Sequence, residues 1–224
     1  MIKKLIYILI LFIISGNFAL ADTQNAYAEY EGQQYYFKPG DEVIFLKNAD
    51  KNMKLSETAQ IDSDKKFYLQ EAMRYYFLLS RAKFDSQDAQ IGLARVYDKM
   101  KLDNYAQAHF FDALNFNPQN GKTNFYYANF YYDRSDFITA LFYYKIASSA
   151  GYSSDYDTNY RMGAIYEKLA DIESAKKYYQ MALKIRPLNS SILQDKIRLL
   201  DDLNYDKSQY YLYDGSGKRK KRDK

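Results

Sequence analysis

The sequence predicts an all-α solenoid of antiparallel helix pairs, on three observations. First, Ile91–Pro118, Phe125–Tyr152 and Tyr160–Pro187 repeat one another. Tyr97, Tyr131 and Tyr166 recur at steps of 34 and 35 residues, as do Ala106, Ala140 and Ala175, and Ala113, Ala147 and Ala182. A fixed period of this size marks stacked helical units. Second, each unit divides into two stretches with helical spacing. Ala106, Phe110 and Ala113 follow the i, i+4, i+7 rule of an amphipathic helix, and Ala140, Tyr144, Ala147 and Ala175, Tyr179, Ala182 repeat it. Third, small residues at Ala94, Ala128 and Gly163 face small residues at Ala106, Ala140 and Ala175. They let two helix backbones approach, and the aromatic residues fill the space around them. Asp103, Ser135 and Asp171 stand where each second helix should start, as N-cap residues do.

This register resembles the tetratricopeptide repeat. That family carries small residues at its eighth and twentieth positions, aromatics at the eleventh and twenty-fourth, and often a proline near the end, as at Pro118 and Pro187. The middle unit lacks the proline and gains a residue after Gly151; its segment ALFYYKIASSAG is also similar to the Sel1-type repeat. The resemblance implies a right-handed superhelix with a concave face lined by the first helix of each pair. It also implies that this face takes an extended peptide or a partner's helix.

In chain order, Met1–Ala21 begins with Lys3 and Lys4, continues through the apolar run Leu5–Ile14, and ends on Ala19-Leu20-Ala21. This is the layout of a Sec-type signal peptide cleaved after Ala21. The alternative is an uncleaved anchor, for which the apolar run is short. Export places the chain in the periplasm or outside the cell, associated with the envelope, with no transmembrane segment after processing. The chain has no cysteine. A lipidated N-terminus and disulfides are therefore excluded, and packing alone must hold the fold.

Residues 22–52 fall outside the repeat. Lys38-Pro39-Gly40-Asp41 is a turn signal between two apolar stretches. It predicts either a hairpin over Gln33–Leu46 or an extended arm. Leu55–Ile61 is a weak helical stretch. Asp64–Lys83 is a strong one, with Phe67, Leu69, Ala72, Tyr76 and Leu79 spaced for a buried face. Residues 53–86 then form a degenerate first unit, followed by units near 87–120, 121–155 and 156–189. Over Ser190–Leu203, Ile192, Leu193, Ile197, Leu200 and Leu203 form one side of a capping helix at 190–203. The remainder, 204–224, ends in KRKKRDK and reads as a flexible basic tail. The formal charge of +4 belongs to this tail and to Lys3 and Lys4, which leaves a mildly acidic body.

Chemistry-bearing motifs are sparse. His109 is the one histidine and has no cysteine beside it, so neither a metal site nor a histidine-based nucleophile can be assembled. There is no phosphate-binding glycine loop and no nucleophile elbow. The expectation is a non-enzymatic chain with no cofactor. No nucleic acid is expected, since export and the acidic body argue against it. The basic tail suits peripheral contact with an anionic envelope surface.

The function expected is therefore a scaffold for a protein or peptide partner, in envelope or secretion-complex assembly. The alternative is a structural protein associated with cell wall or glycan through its tyrosines, which number 26. Projecting the first helices inward selects Asp88, Ile91, Arg95 and Lys99, then Lys122, Phe125, Asn129, Tyr132 and Asp133, then Asp157, Tyr160, Arg161 and Ala164. Arg95, Phe125, Asn129, Tyr132, Tyr160 and Arg161 are the predicted partner-binding residues, because aromatic and arginine anchors dominate such faces. One subclass of the family clamps a C-terminal carboxylate with lysines and asparagine. Ile91 and Asp157 stand where those lysines would be, so no clamp is expected.

Overall fold

Glu31 and Gly32 both adopt positive φ, 50° and 77°, and reverse the chain between two short strands. In the computed structural model, which describes residues 26–38, 40–82, 86–186, 191–201, 212–213 and 219–220, β1 (Ala26–Tyr30) pairs antiparallel with β2 (Gln33–Phe37) in the register Ala26↔Phe37 to Tyr30↔Gln33. Two consecutive positive φ values match the right-handed twist of a tight hairpin. The hairpin thus exists, but its turn is not the one expected at Lys38–Asp41. There the backbone amide of Lys38 donates to Asp41 Oδ2 at 2.7 Å, and Gly40, at φ 93°, begins a helix. Val43–Leu46 is consequently helical. The hairpin is not isolated: Phe37 is buried among Leu78, Leu79 and Ala89, and Tyr30 meets Phe77 edge-on at 5.6 Å.

The helices follow in antiparallel pairs: α1 (Asp41–Thr58) with α2 (Asp62–Ala82), α3 (Gln87–Lys99) with α4 (Asp103–Phe116), α5 (Gly121–Asp133) with α6 (Phe137–Ser149), and α7 (Tyr156–Lys168) with α8 (Ile172–Ile185). A single helix, α9 (Ser191–Asp201), packs on α8 through Leu193 and Leu200. The extra residues after Gly151 form the 3-10 turn Tyr152–Ser154. Near the C-terminus, β3 (Leu212–Tyr213) pairs with β4 (Arg219–Lys220). The segment 1–21, expected to be a signal peptide, and most of the tail 204–224 lie outside the described residues.

The first unit departs from expectation. Its first helix spans Asp41–Thr58, so it begins before residue 53 and is longer than the weak stretch Leu55–Ile61. Ala49 and Met53, both buried, anchor it on Leu69, Ala72 and Tyr76 of α2. The physical reason is tertiary. The sequence of α1 is only weakly amphipathic, and packing on α2 supplies what local propensity does not. Phe67 is exposed at 57% rather than buried, and Ile192 of α9 is exposed at 80%. Phe67 lies two residues before buried Leu69, on the opposite side of α2, and Ile192 lies one residue off the stripe of Leu193 and Leu200.

The small-residue contacts are as the spacing requires. Ala94, Ala128, Ala106, Ala140, Ala175, Ala113, Ala147 and Ala182 are fully buried, with Tyr76, Phe110, Tyr144 and Tyr179 packed among them. Gly92 makes a still closer approach, since a Cβ there would penetrate the Tyr76 ring.

The turns inside the three later pairs share one geometry, which the α1–α2 turn, with Ala59 at φ −64°, does not. Lys101, Ser135 and Ala170 have φ of 62°, 62° and 60°. The next amides, those of Leu102, Asp136 and Asp171, donate to the carbonyls of Tyr97, Tyr131 and Tyr166 at 2.9, 3.0 and 2.9 Å. This is a Schellman ending, with a left-handed residue closing the first helix. The second helices are then capped by Asp136 and Asp171, whose carboxylates accept from the amides of Thr139 and Ser174. Ser135 is therefore not the cap, and Asp103 lies one residue inside α4, whose N-cap is Leu102.

Candidate partner-binding groove

The first helices α1, α3, α5 and α7 and the cap α9 are linked by a regular series of ion pairs. Asp50 and Glu57 on α1 meet Arg95 and Lys99 on α3 at 3.5 and 3.6 Å. Asp88 on α3 meets Lys122 on α5 at 2.6 Å, and Asp133 on α5 meets Arg161 on α7 at 3.1 Å. Glu167 on α7 meets Lys196 on α9 at 2.9 Å. In every one of these pairs the acid belongs to the earlier helix and the base to the later one. Each pair is partly exposed and contributes about 0.2–1 kcal/mol at most. They follow the stacking of one unit on the next, which the buried clusters hold in place.

Aromatic rings flank these pairs. The Arg95 guanidinium lies 4.2 Å from the centre of the Tyr126 ring, and that of Arg161 lies 4.7 Å from the centre of Tyr132. Phe125 stacks on Tyr152 at 5.0 Å and meets Tyr126 edge-on at 5.1 Å. Tyr156 stacks on Tyr160 at 5.9 Å, and Tyr160 meets Tyr179 at 5.8 Å. Burial raises the Tyr132 and Tyr152 hydroxyls above the ordinary tyrosine value, so both are protonated donors at neutral pH. For Arg161, burial works against the charge, but Tyr144 and Asp133 outweigh it and the guanidinium titrates above its usual value.

The six predicted residues thus divide. Tyr132, Arg161 and Tyr160 come together across α5 and α7, while Phe125 and Arg95 gather around Tyr126. Asn129 faces the pair rather than open solvent: its Oδ1 accepts from the hydroxyl of Tyr144, and Asp50 accepts likewise from Tyr76 at 2.6 Å. Ile91, projected inward, is in fact buried at 1% exposure in the core. Position within the repeat aims it at the groove, but the neighbouring helices close over it. His109 is half-buried; its Nδ1 lies 2.7 Å from Gln90 Oε1, its ring stacks on Tyr97, and burial lowers its pKa. Among the described residues no group of acids and histidine is arranged to hold a metal ion.

Sequence reasoning missed the residues that seal the entrance of each first helix. Asn120 and Asp155 cap α5 and α7 by accepting from the amides of Thr123 and Thr158 at 2.9 and 2.7 Å. The following Asn124 and Asn159 are buried, and each Nδ2 donates to two carbonyls of the preceding turn, at 2.7–2.8 Å. The signal was present. Asn120-x-x-Thr123-Asn124 recurs as Asp155-x-x-Thr158-Asn159, 35 residues on. Tyr126 and Tyr152 were missed as well. Tyr126 lies beside the projected position, and Tyr152 belongs to the inserted turn. Two recesses lie at the α1 end. One of about 390 Å³ includes Ser56, Glu57 and Lys99, and one of about 720 Å³ runs along Lys47, Lys51 and Lys54. Neither is lined by any of the six predicted residues.

No protein-family model matches the sequence, and no curated protein sequence matches it. Solved structures do resemble the fold. PilW, a type IV pilus biogenesis factor, superposes with a TM-score of 0.55 at 19% identity over 66% of this chain. The matched region spans 63% of the PilW chain. Pseudomonas aeruginosa PilF gives a TM-score of 0.55 at 19% identity over 72% of each chain. MamA AMB-1 gives 0.53 at 16% identity, covering 73% of this chain and 82% of that one. With its repeat register, its helix pairs and these likenesses, the chain has the tetratricopeptide-repeat fold.

Proposed function

We propose that the chain is an exported, non-enzymatic scaffold that takes a protein or peptide partner along the face formed by α3, α5 and α7. One observation carries this reading. Arginines and aromatic rings from successive first helices are held together there, at Arg95–Tyr126 and at Arg161–Tyr132. Rigid rings give contact area at low entropic cost, and such residues dominate partner interfaces. The likeness to a pilus biogenesis factor supports an envelope setting. The layout of Met1–Ala21 supports export, with a mature chain starting at Asp22.

Photo-crosslinking tests the surface. A photoreactive phenylalanine at Tyr160 should capture a discrete partner in cells, and the same probe at Phe142, exposed on α6, should not. Capture from Phe142 alone would move the binding surface to the second helices. Intact mass of the exported protein tests the N-terminus, and a full-length product retained in the membrane would overturn the export reading.

A further inference from the structure

We infer that the outer face of α4 and α6 is a dimer interface, which takes the same face of a second copy of this chain. It lies on the second helices, apart from the groove. The four second helices differ in what covers their outer sides. That of α2 lies under the hairpin, where Tyr30 meets Phe77 and Phe37 packs on Leu78 and Leu79. That of α8 carries Glu173, Lys177 and Gln180, all exposed, and suits water. Between them, α4 and α6 present Tyr105, Phe111, Ile138 and Phe142, each 56–63% exposed. At that exposure a side chain of this size offers about 100 Å². Together they supply about 400 Å² of apolar surface, about half of the ~800 Å² per partner in a standard interface. That is close to the apolar share such an interface usually has, and apolar patches of this size are often functional.

The occupant follows from self-complementarity. Ala106 and Ala140, and Phe110 and Tyr144, are buried equivalents 34 residues apart, so residues at this separation stand level on α4 and α6. A two-fold axis between these helices, and along them, lays α4 of one copy over α6 of the other with the levels kept. Ala108 then faces Phe142 of the second copy, and Tyr105 faces Thr139, so a large residue meets a small one each time. Asp112 comes beside Lys145. Both are exposed, and among the described residues neither belongs to an ion pair; Lys145 has only the Tyr166 ring, 5.9 Å away. Symmetry makes each of these contacts twice. An anionic lipid surface would suit the rings but would repel Asp112, which stands among them.

Sedimentation equilibrium of the full chain tests this. The chain should dimerise as its concentration rises. Phe142→Asp should weaken the dimer about a hundredfold and keep the circular dichroism spectrum, since Phe142 is exposed on its own copy. Asp112→Lys and Lys145→Asp should each weaken it about tenfold. The two in one chain should recover most of that loss, because the pair forms between copies. Tyr132→Ala, in the groove, should leave the dimer unchanged, and a photoreactive phenylalanine at Phe142 should link two copies of this chain. A monomer at every concentration, or a dimer indifferent to Phe142→Asp, would overturn the assignment. So would charge variants whose losses simply add, capture of a different protein at Phe142, or binding to phosphatidylglycerol vesicles that is lost in Phe142→Asp.

Discussion

The guanidinium of Arg161 sits between two residues of the preceding first helix: it lies over the ring of Tyr132, 4.7 Å from the centroid, and its Nη1 is 3.1 Å from Asp133. Both contacts join α5 to α7, so the residue couples units as well as presenting a cation. Arg161→Ala should cost about 1–2 kcal/mol, the sum expected of one cation–π contact and one part-exposed ion pair. Arg161→Lys should recover part of it, since a lysine keeps the charge but stacks less well. Denaturant midpoints decide this. A midpoint unchanged in Arg161→Ala would show that the contact stabilises nothing.

The left-handed turn residues predict a gain. Lys101 and Ser135, at φ 62°, pay the steric cost that glycine avoids. Lys101→Gly and Ser135→Gly should each stabilise the array by up to about 1 kcal/mol, less the extra entropy of the unfolded glycine. The two should add, because they lie in separate turns. A loss of stability in both would mean that the side chains themselves hold the turns.

Gly92 makes the opposite case. Alanine is the better helix former by about 1 kcal/mol, yet here its methyl would meet the Tyr76 ring. Gly92→Ala should therefore destabilise by about 1–3 kcal/mol through overpacking. Ala140→Leu, at a fully buried helix contact, should fall in the same range. Thermal melts of both, beside a surface control such as Lys145→Ala, give the answer. A Gly92→Ala variant more stable than the parent would place Tyr76 elsewhere.

Alkaline pH should unfold the array. Burial is the main cause that raises the hydroxyls of Tyr76, Tyr144 and Tyr179 far above the ordinary value of 10.0. In the unfolded chain they ionise near 10, while in the folded chain they stay protonated. Their contribution is fully present below pH 10 and is lost as pH rises above it. Each such tyrosine removes about 1.4 kcal/mol of stability per pH unit in that window. Urea midpoints above pH 10 should fall steeply, and Tyr144→Phe should flatten the slope. An equal slope in that variant would show that Tyr144 ionises in the folded state.

The repeat, the helix pairs and the buried stripe were legible in the sequence because they depend on period. A small residue every 34 or 35 positions has one reading, whatever surrounds it. Ala106, Ala140 and Ala175 could be assigned to close contacts from spacing alone, and so could the aromatics beside them. The first unit was harder. Its helix α1 carries no strong periodic face, and its burial comes from α2 and from α3 beyond it. The hairpin turn was misplaced because Pro39-Gly40 is the louder signal, while Glu31-Gly32 turns only with a strand on each side.

In the groove, sequence position selected residues of α3, α5 and α7, and the structure places Arg95, Phe125, Tyr132, Tyr160 and Arg161 beside other rings there. Position alone could not say which side chains are still free. That Asn129 is held by Tyr144, that Ile91 is buried, and that Arg95 and Arg161 are neutralised by acids on the helix before them all depend on contacts between units. Those contacts follow from the angle at which one pair stacks on the next. The sequence by itself determined a helical array with an aromatic inner face, since local periodicity dictates both. Only the tertiary structure decided which of its charges are paired, because those pairs form between residues about 30 to 45 positions apart in the chain, which stacking alone brings together.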